Sequence, residues 1–245
     1  MDLTLKSFSL LLSYPSPELQ REIPELRRVL DGDRRLGRRL RRRIGRLLTV
    51  FEQEDVWDLQ ERYVDLFDRS RSLSLNLFEH VHGESRDRGS AMVDLLETYE
   101  RAGFVNATPE LPDHLPLLLE FLSTRPPQEA KALLADAAHL FEALAARLER
   151  RKSDYAPVFR ALVVLAGASV SRSAVAALLE RPDESPDDLA ALDRAWEESE
   201  VTFGPDPGAG CPKARDLLAG MEGPQAPPLT TGPDARQAGG TRSEP

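Results

Sequence analysis

Residues 34–51 read RRLGRRLRRRIGRLLTVF, and the spacing of the apolar residues in this stretch decides the fold. Leu36, Leu40, Ile44, Leu47, Leu48 and Phe51 recur at intervals of four, four, three, one and three, the period of a single helix face turned to a core. The arginines fill the positions left over, on the solvated side. The same period runs outward in both directions. Before the stretch, Leu5, Phe8, Leu11 and Leu12 share a face, and Ser16-Pro17 opens a segment carrying Leu19, Ile23 and Leu26. Pro24 is expected to break that segment into short pieces. After it, Val56, Leu59, Tyr63, Leu66 and Phe67 form another stripe.

Residues 72–79, SLSLNLFE, depart from the pattern. Leu73, Leu75 and Leu77 alternate, but one isolated strand cannot satisfy its backbone, so an irregular connector or short helical turn is expected. Helix resumes after Ser85 with Met92, Leu95, Leu96 and Tyr99 facing in and Gly103 as a stop. Asp113 reads as the N-cap of a short helix carrying Leu115, Leu118, Leu119 and Leu122. Pro126-Pro127 opens a long helix through Arg151, Ser153 caps the next, and Val175, Leu178 and Leu179 mark another. Ser185-Pro186-Asp187-Asp188 is a helix start with acids in its first turn, followed by Leu189, Leu192 and Trp196. From about Val201 proline and glycine become frequent and aromatics vanish after Phe203, which leaves too little apolar surface to offset ordering entropy. The expected class is all-α: one globular multi-helix domain over residues 1–200 and a mostly disordered tail over 201–245.

Charge separates some function classes. The 245 residues carry a net charge of −9, yet between Arg27 and Arg46 ten arginines stand against Asp31 and Asp33, a local excess of +8 that leaves −17 for the remainder. An acidic body disfavours general nucleic-acid binding, because phosphate contacts need positive potential. The basic run reads first as a solvated face, next as a dock for an acidic partner, and last as a nucleic-acid surface, since no aromatics interleave it. The longest apolar run, Ala161 to Ala168, is far short of the roughly 20 residues that span hydrocarbon, so no stable membrane insertion is expected. The N-terminal MDLTLKSFSLLLSYP lacks a basic region and a small-residue cleavage site, and reads as the first core helix. A lone Cys211 makes no internal disulfide, which fits a reducing, cytoplasmic compartment.

No motif assembles a catalytic centre. GxxxxGK[ST], GxGxxG and GxSxG are absent. His80 and His82 with Glu79 and Glu84 offer metal-binding atoms, but i,i+2 spacing splits the imidazoles between helix faces and no cysteine is near, so no metal is expected. Asp113-His114 has the composition of an acid–base pair, but sequence neighbours seldom face each other and no nucleophile accompanies them. Tyr63, Leu66 and Phe67 share a face; such a stripe is either core or the wall of a groove that holds an amphipathic helix.

The stretch YVDLFDRSRSLSLNLFEHVHGESRDRG, residues 63–89, resembles the signature of the nitrate reductase molybdenum-cofactor assembly chaperones, also called the delta subunit or NarJ type. ELPDHLPLLLEFL, residues 110–122, resembles that family as well. More distantly, Tyr63, Phe67 and Pro112-Asp113-His114 resemble the wider TorD/DmsD group of redox-enzyme maturation chaperones. That group's Glu-Pro-x-Asp-His pattern has its proline one place earlier; Glu110, Asp113 and His114 stay in register. Similarity runs from the first helix to about Trp196.

The resemblance implies an all-helical, non-enzymatic chaperone without a cofactor of its own. It would bind the N-terminal segment of the nitrate reductase catalytic (alpha) subunit and hold that subunit receptive to molybdenum cofactor before membrane docking. Molybdenum-cofactor delivery proteins would be further partners. The expected peptide groove is lined by Tyr63, Leu66, Phe67 and Phe78, with Glu79, His80, Glu110, Asp113 and His114 at its rim, and protonation of His80 or His114 near neutral pH would weaken a cationic client. The competing reading is a helical nucleic-acid-binding regulator that uses the Arg34–Arg46 face.

Overall fold

The computed structural model describes residues 1–82 and 86–180. Over them the chain is helical, and no β-strand forms. The first four helices are α1 (Leu3–Leu11), α2 (Pro17–Gly32), α3 (Arg38–Gln53) and α4 (Val56–Tyr63). A π-helical turn (Val64–Asp68), a 3-10 turn (Arg71–Leu73) and α5 (Leu77–His82) follow, then α6 (Arg86–Arg101) and α7 (Leu115–Ser123). The last are α8 (Pro127–Asp136), α9 (Ala138–Arg150), α10 (Ala156–Ala166) and α11 (Arg172–Glu180). None of these is long and apolar enough to cross a membrane.

The apolar stripe of α3 is the buried one: Ile44, Leu47, Leu48 and Phe51 lie in the core with Leu36 from the turn just before the helix, and Leu40 is half-buried. Phe51 joins Phe8, Phe121, Phe141 and Phe159 among the largest sealed side chains. Helices α9 and α10 pack together, α10 also covers α8 and α3, and α2 lies on α3. Helix α1 packs along α7, with Asp2 N–H donating to the Ser123 carbonyl at one end (2.6 Å) and Lys6 pairing with Glu120 further along. The C-terminal end of α1 therefore lies beside the N-terminal end of α7.

Local expectations fail at five places. Pro24 does not break α2, which continues unbroken around it: the proline faces solvent while Leu19, Ile23, Leu26 and Leu30 keep the other face buried. The long helix expected through Arg151 divides at Ala137 (φ −95°, ψ 2°) into two helices that both pack on α10, α8 also touching α7 and α9 also touching α11. Ser153 does not cap α10, whose N-cap is Tyr155; Ser153 Oγ accepts from Tyr155 N–H at 3.3 Å in the preceding turn. Leu96 is exposed, since only Tyr99 of that stripe is sealed. Asp113 does not cap α7: His114 occupies the N-cap position without a side-chain hydrogen bond, and the Asp113 carboxylate goes elsewhere. The connector at 72–79 is irregular as expected, with a single antiparallel bridge between Asn76 and His114. The helix expected from Ser185, Cys211, and the boundary between residues 200 and 201 lie outside the described residues, as does Glu84.

Candidate functional site: an acidic hollow between α1, α4 and α7

Tyr63 ends α4, and its hydroxyl donates to the Leu12 carbonyl at 3.0 Å, tying α4 to the end of α1. Gln60 Nε2 reinforces that tie through the Pro15 carbonyl at 2.8 Å. Tyr14 then stacks edge-on against the Tyr63 ring, with centroids 5.6 Å apart. Beyond Tyr63 the backbone widens into the π turn, closed by Arg69 N–H donating to the Val64 carbonyl five residues back (2.9 Å). Five residues make up roughly one turn of that wider helix, so Asp68 comes round to the side of Tyr63. From the other direction, the loop before α7 brings Glu110 and His114, and one helical turn later α7 presents Pro116, Leu117 and Glu120.

These groups enclose a hollow of about 430 Å³. Its walls are the rings of Tyr14 and Tyr63 with Pro109, Pro116 and Leu117, and its charges are Asp68, Glu110 and Glu120, one of which Lys6 engages. Burial, with the Glu110 charge behind it, pushes the Asp68 carboxyl above its usual value. Burial pushes His114 below its usual value against the opposing pull of Glu110, whose Oε2 lies 3.9 Å from Nδ1. Among the described residues, no lysine or arginine lines the hollow beside Asp68 and Glu110. An apolar-walled, anionic hollow suits a basic amphipathic segment.

Of the nine residues expected in a groove, Tyr63, Glu110 and His114 converge here, and six do not. Phe67 is sealed between the Tyr63 and Tyr155 rings, 5.1 Å from each. Leu66 faces a second hollow of about 390 Å³, against Phe51, Arg62 and Tyr155. His80 is buried, with Nε2 donating to the Ser74 carbonyl at 2.8 Å; Glu79 pairs with Arg88 at 3.2 Å; and Phe78 is half-buried beside them on α5, away from the hollow. Asp113 has no exposed surface, and its Oδ2 accepts from Phe78 N–H at 2.9 Å. The expected single groove is therefore corrected to a hollow on one side of the π turn, with the remaining residues buried behind it or turned to other faces. Tyr14, Asp68 and Glu120 were not anticipated. Glu120 was findable, because it lies one turn beyond Pro116 and Leu117 on a helix that the leucine pattern had already marked.

Comparison with known proteins places this geometry in a lineage. The family model described as nitrate reductase delta subunit matches residues 18–161, which include all the hollow's residues except those of α1 and its end. The chain belongs to the nitrate reductase delta subunit family. Among its relatives, the nitrate reductase molybdenum cofactor assembly chaperone NarJ of Escherichia coli K12 is 42% identical over 91% of this chain and 96% of its own length. The probable chaperone NarW of the same organism is 41% identical over 84% of this chain and 86% of its own. The probable NarJ of Bacillus subtilis 168 is 33% identical over 66% and 86%. A solved structure titled a putative redox enzyme maturation protein, from Archaeoglobus fulgidus, aligns with a TM-score of 0.49 at 26% identity, over 66% of this chain and 91% of that one.

Proposed function

We propose that this protein is a dedicated assembly chaperone for a respiratory nitrate reductase: it binds the N-terminal segment of the catalytic subunit and keeps that subunit competent for molybdenum cofactor insertion before membrane docking. The relatives' names support the chaperone reading. The nucleic-acid alternative gains nothing from them. The observation that carries the site is the convergence of Asp68, Glu110 and Glu120 around the Tyr14–Tyr63 corner. A client segment would place apolar anchors against Tyr14, Tyr63 and Leu117 and its basic side chains among the carboxylates. Buried apolar area contributes at about 25 cal/mol per Å², from which the loss of motion on association is subtracted, so a modest affinity results that permits release. No residue of the hollow is asked to form or break a bond.

The test is calorimetric titration of the client N-terminal peptide into wild type, Tyr14→Ala and Glu110→Lys. Tyr14 is half exposed and Glu110 exposed, so both variants keep the core. Loss of affinity in both is expected. Equal affinities across the three proteins would remove the hollow from client binding, and failure of a cofactor-free catalytic subunit to co-purify with wild type would remove the function itself.

A further inference from the structure

We propose that the first two turns of α3 are a docking surface for an acidic polypeptide segment, separate from the hollow. Several arginines of this chain are engaged by carboxylates: Arg27 by Glu52, Arg43 by Glu149, Arg62 by Glu54, Arg88 by Glu79 and Arg160 by Glu142 and Glu149. The start of α3 instead gathers several that are not. Among the described residues Arg34, Arg38, Arg39 and Arg42 are exposed and have no carboxylate in ion-pair range, and Arg41 donates to the Asp31 carbonyl. The helix N-terminus adds to the imbalance. Gly37 supplies no side-chain cap, the first turn holds no acid, and Arg38 and Arg39 stand at the positive end of the helix dipole. Arg38 and Arg42 are a like-charged pair at i,i+4, and Arg38 and Arg41 one at i,i+3.

Nothing in the packing asks for this. Leu36 and Ile44 are sealed and Leu40 half-buried whatever stands on the outer face, and any polar residue would serve there. Stability alone would favour Asp or Glu in the first turn. A local rule broken without a packing reason marks a place kept for binding.

The chemistry narrows the partner. Every cation of the cluster is an arginine, whose planar fork matches carboxylate or phosphate. Arg38, Arg39, Arg41 and Arg42 line an open recess with only Asp31 opposed to them. A recess admits the side chains of a polypeptide better than the flat face of a bilayer, and no exposed apolar side chain of the cluster is available to insert into lipid. No aromatic residue lies between Arg34 and Arg46 on which bases could stack. With a net charge of −9 on the whole chain, an acidic partner is repelled by the body and drawn to this face, which fixes its orientation.

The experiment follows fluorescence anisotropy of a fluorescein-labelled oligoglutamate peptide titrated with the full chain at low and at physiological ionic strength. The proteins are wild type, the triple variant Arg38→Glu/Arg39→Glu/Arg42→Glu, and a control triple variant Arg101→Glu/Lys131→Glu/Arg172→Glu. Wild type should bind, salt should weaken binding, and the α3 variant should bind roughly tenfold more weakly or worse while the control changes by less than about threefold. The α3 variant should also melt at or above wild type, because glutamate at the first helical positions favours the helix. Four results would overturn the proposal: no binding by wild type, equal losses in the two variants, a lowered melting temperature in the α3 variant, or displacement of the peptide by duplex DNA or phosphatidylglycerol vesicles at lower charge concentration than by unlabelled oligoglutamate.

Discussion

Replacing Asp113 tests how the buried layer behind the hollow holds His114 in place. Its carboxylate is sealed, Oδ2 accepts from Phe78 N–H at 2.9 Å, and Oδ1 has no hydrogen-bond partner. The flanking backbone pairs twice more: Leu77 N–H donates to the Asp113 carbonyl at 3.2 Å and Leu115 N–H to the Leu75 carbonyl at 2.9 Å. Asp113→Ala leaves the Phe78 N–H without its acceptor, which costs about 1–3 kcal/mol, and opens a void the size of a carboxylate, for a total of about 3 kcal/mol. For a domain of this size that is a fall in melting temperature of roughly 6–12 °C. Asp113→Asn keeps an acceptor for Phe78 and removes a buried charge, but sets an amide NH₂ where Oδ1 found no partner, so the net change is about 1 kcal/mol or less. The pH dependence separates the two effects. Burial, the largest influence, raises the folded-state value of Asp113 above its unfolded one, so its favourable contribution is complete below the unfolded value and is lost as pH rises through the folded value. Asp113→Asn should flatten that part of the stability curve. Urea unfolding across pH, with calorimetry of the client peptide alongside, reads all of this. The reasoning fails if Asp113→Ala unfolds within 1 kcal/mol of wild type by that measurement, or if the asparagine variant is as unstable as the alanine one.

Three further outcomes are expected. Tyr63→Phe removes the hydroxyl that caps the Leu12 carbonyl and should cost about 1 kcal/mol in urea unfolding while leaving peptide affinity unchanged, because the ring edge remains; a large loss of affinity would mean that the hydroxyl contacts the client. Lys152→Gly should raise stability by up to about 1 kcal/mol, since Lys152 holds φ at 56°, a conformation that L side chains resist; no gain in unfolding midpoint would show that turn to be unstrained. Affinity for the basic peptide should fall as pH drops through the raised Asp68 value, with protonation of His114 adding repulsion below its lowered one, and an affinity that does not weaken as the solution is acidified would exclude both groups from the interface.

The helical period was sufficient to find the core because it records which side chains leave water, and burial outweighs the local terms that compete with it. Pro24 illustrates the ranking. Losing one backbone hydrogen bond on a solvated face does not undo a stripe of four sealed residues, so the rule that proline ends a helix fails there. The division at Ala137 has no strong mark in the sequence, since neither glycine nor proline interrupts residues 128–150. The two helices share α10 but differ in their other neighbours, α7 for α8 and α11 for α9, and only tertiary contacts specify that. Asp113 misleads for a related reason. An aspartate before a leucine-rich run has the composition of an N-cap, and nothing local shows that the Phe78 N–H, 35 residues away, is the donor that its carboxylate meets.

The hollow was half legible for a reason of geometry. Reading residues 63–67 at 3.6 per turn puts Tyr63, Leu66 and Phe67 on one side and sends Asp68 round to another. The π turn reverses this: Tyr63 and Asp68 come to one hollow, Leu66 faces the other, and Phe67 is drawn inward between two rings. Edge-on contacts then run from Tyr14 through Tyr63, Phe67 and Tyr155 to Phe51, so that the wall of one hollow is continuous with the wall of the other. A turn does the same at the second contributor. Asp113 lies in a turn that the His114 N–H closes onto the Leu111 carbonyl at 3.0 Å, and His114 leaves that turn to form the bridge with Asn76. Asp113 goes to the interior and His114 to the hollow. A pair that resembles an acid–base couple in one dimension is, in three, a buried anchor and the wall residue that it positions.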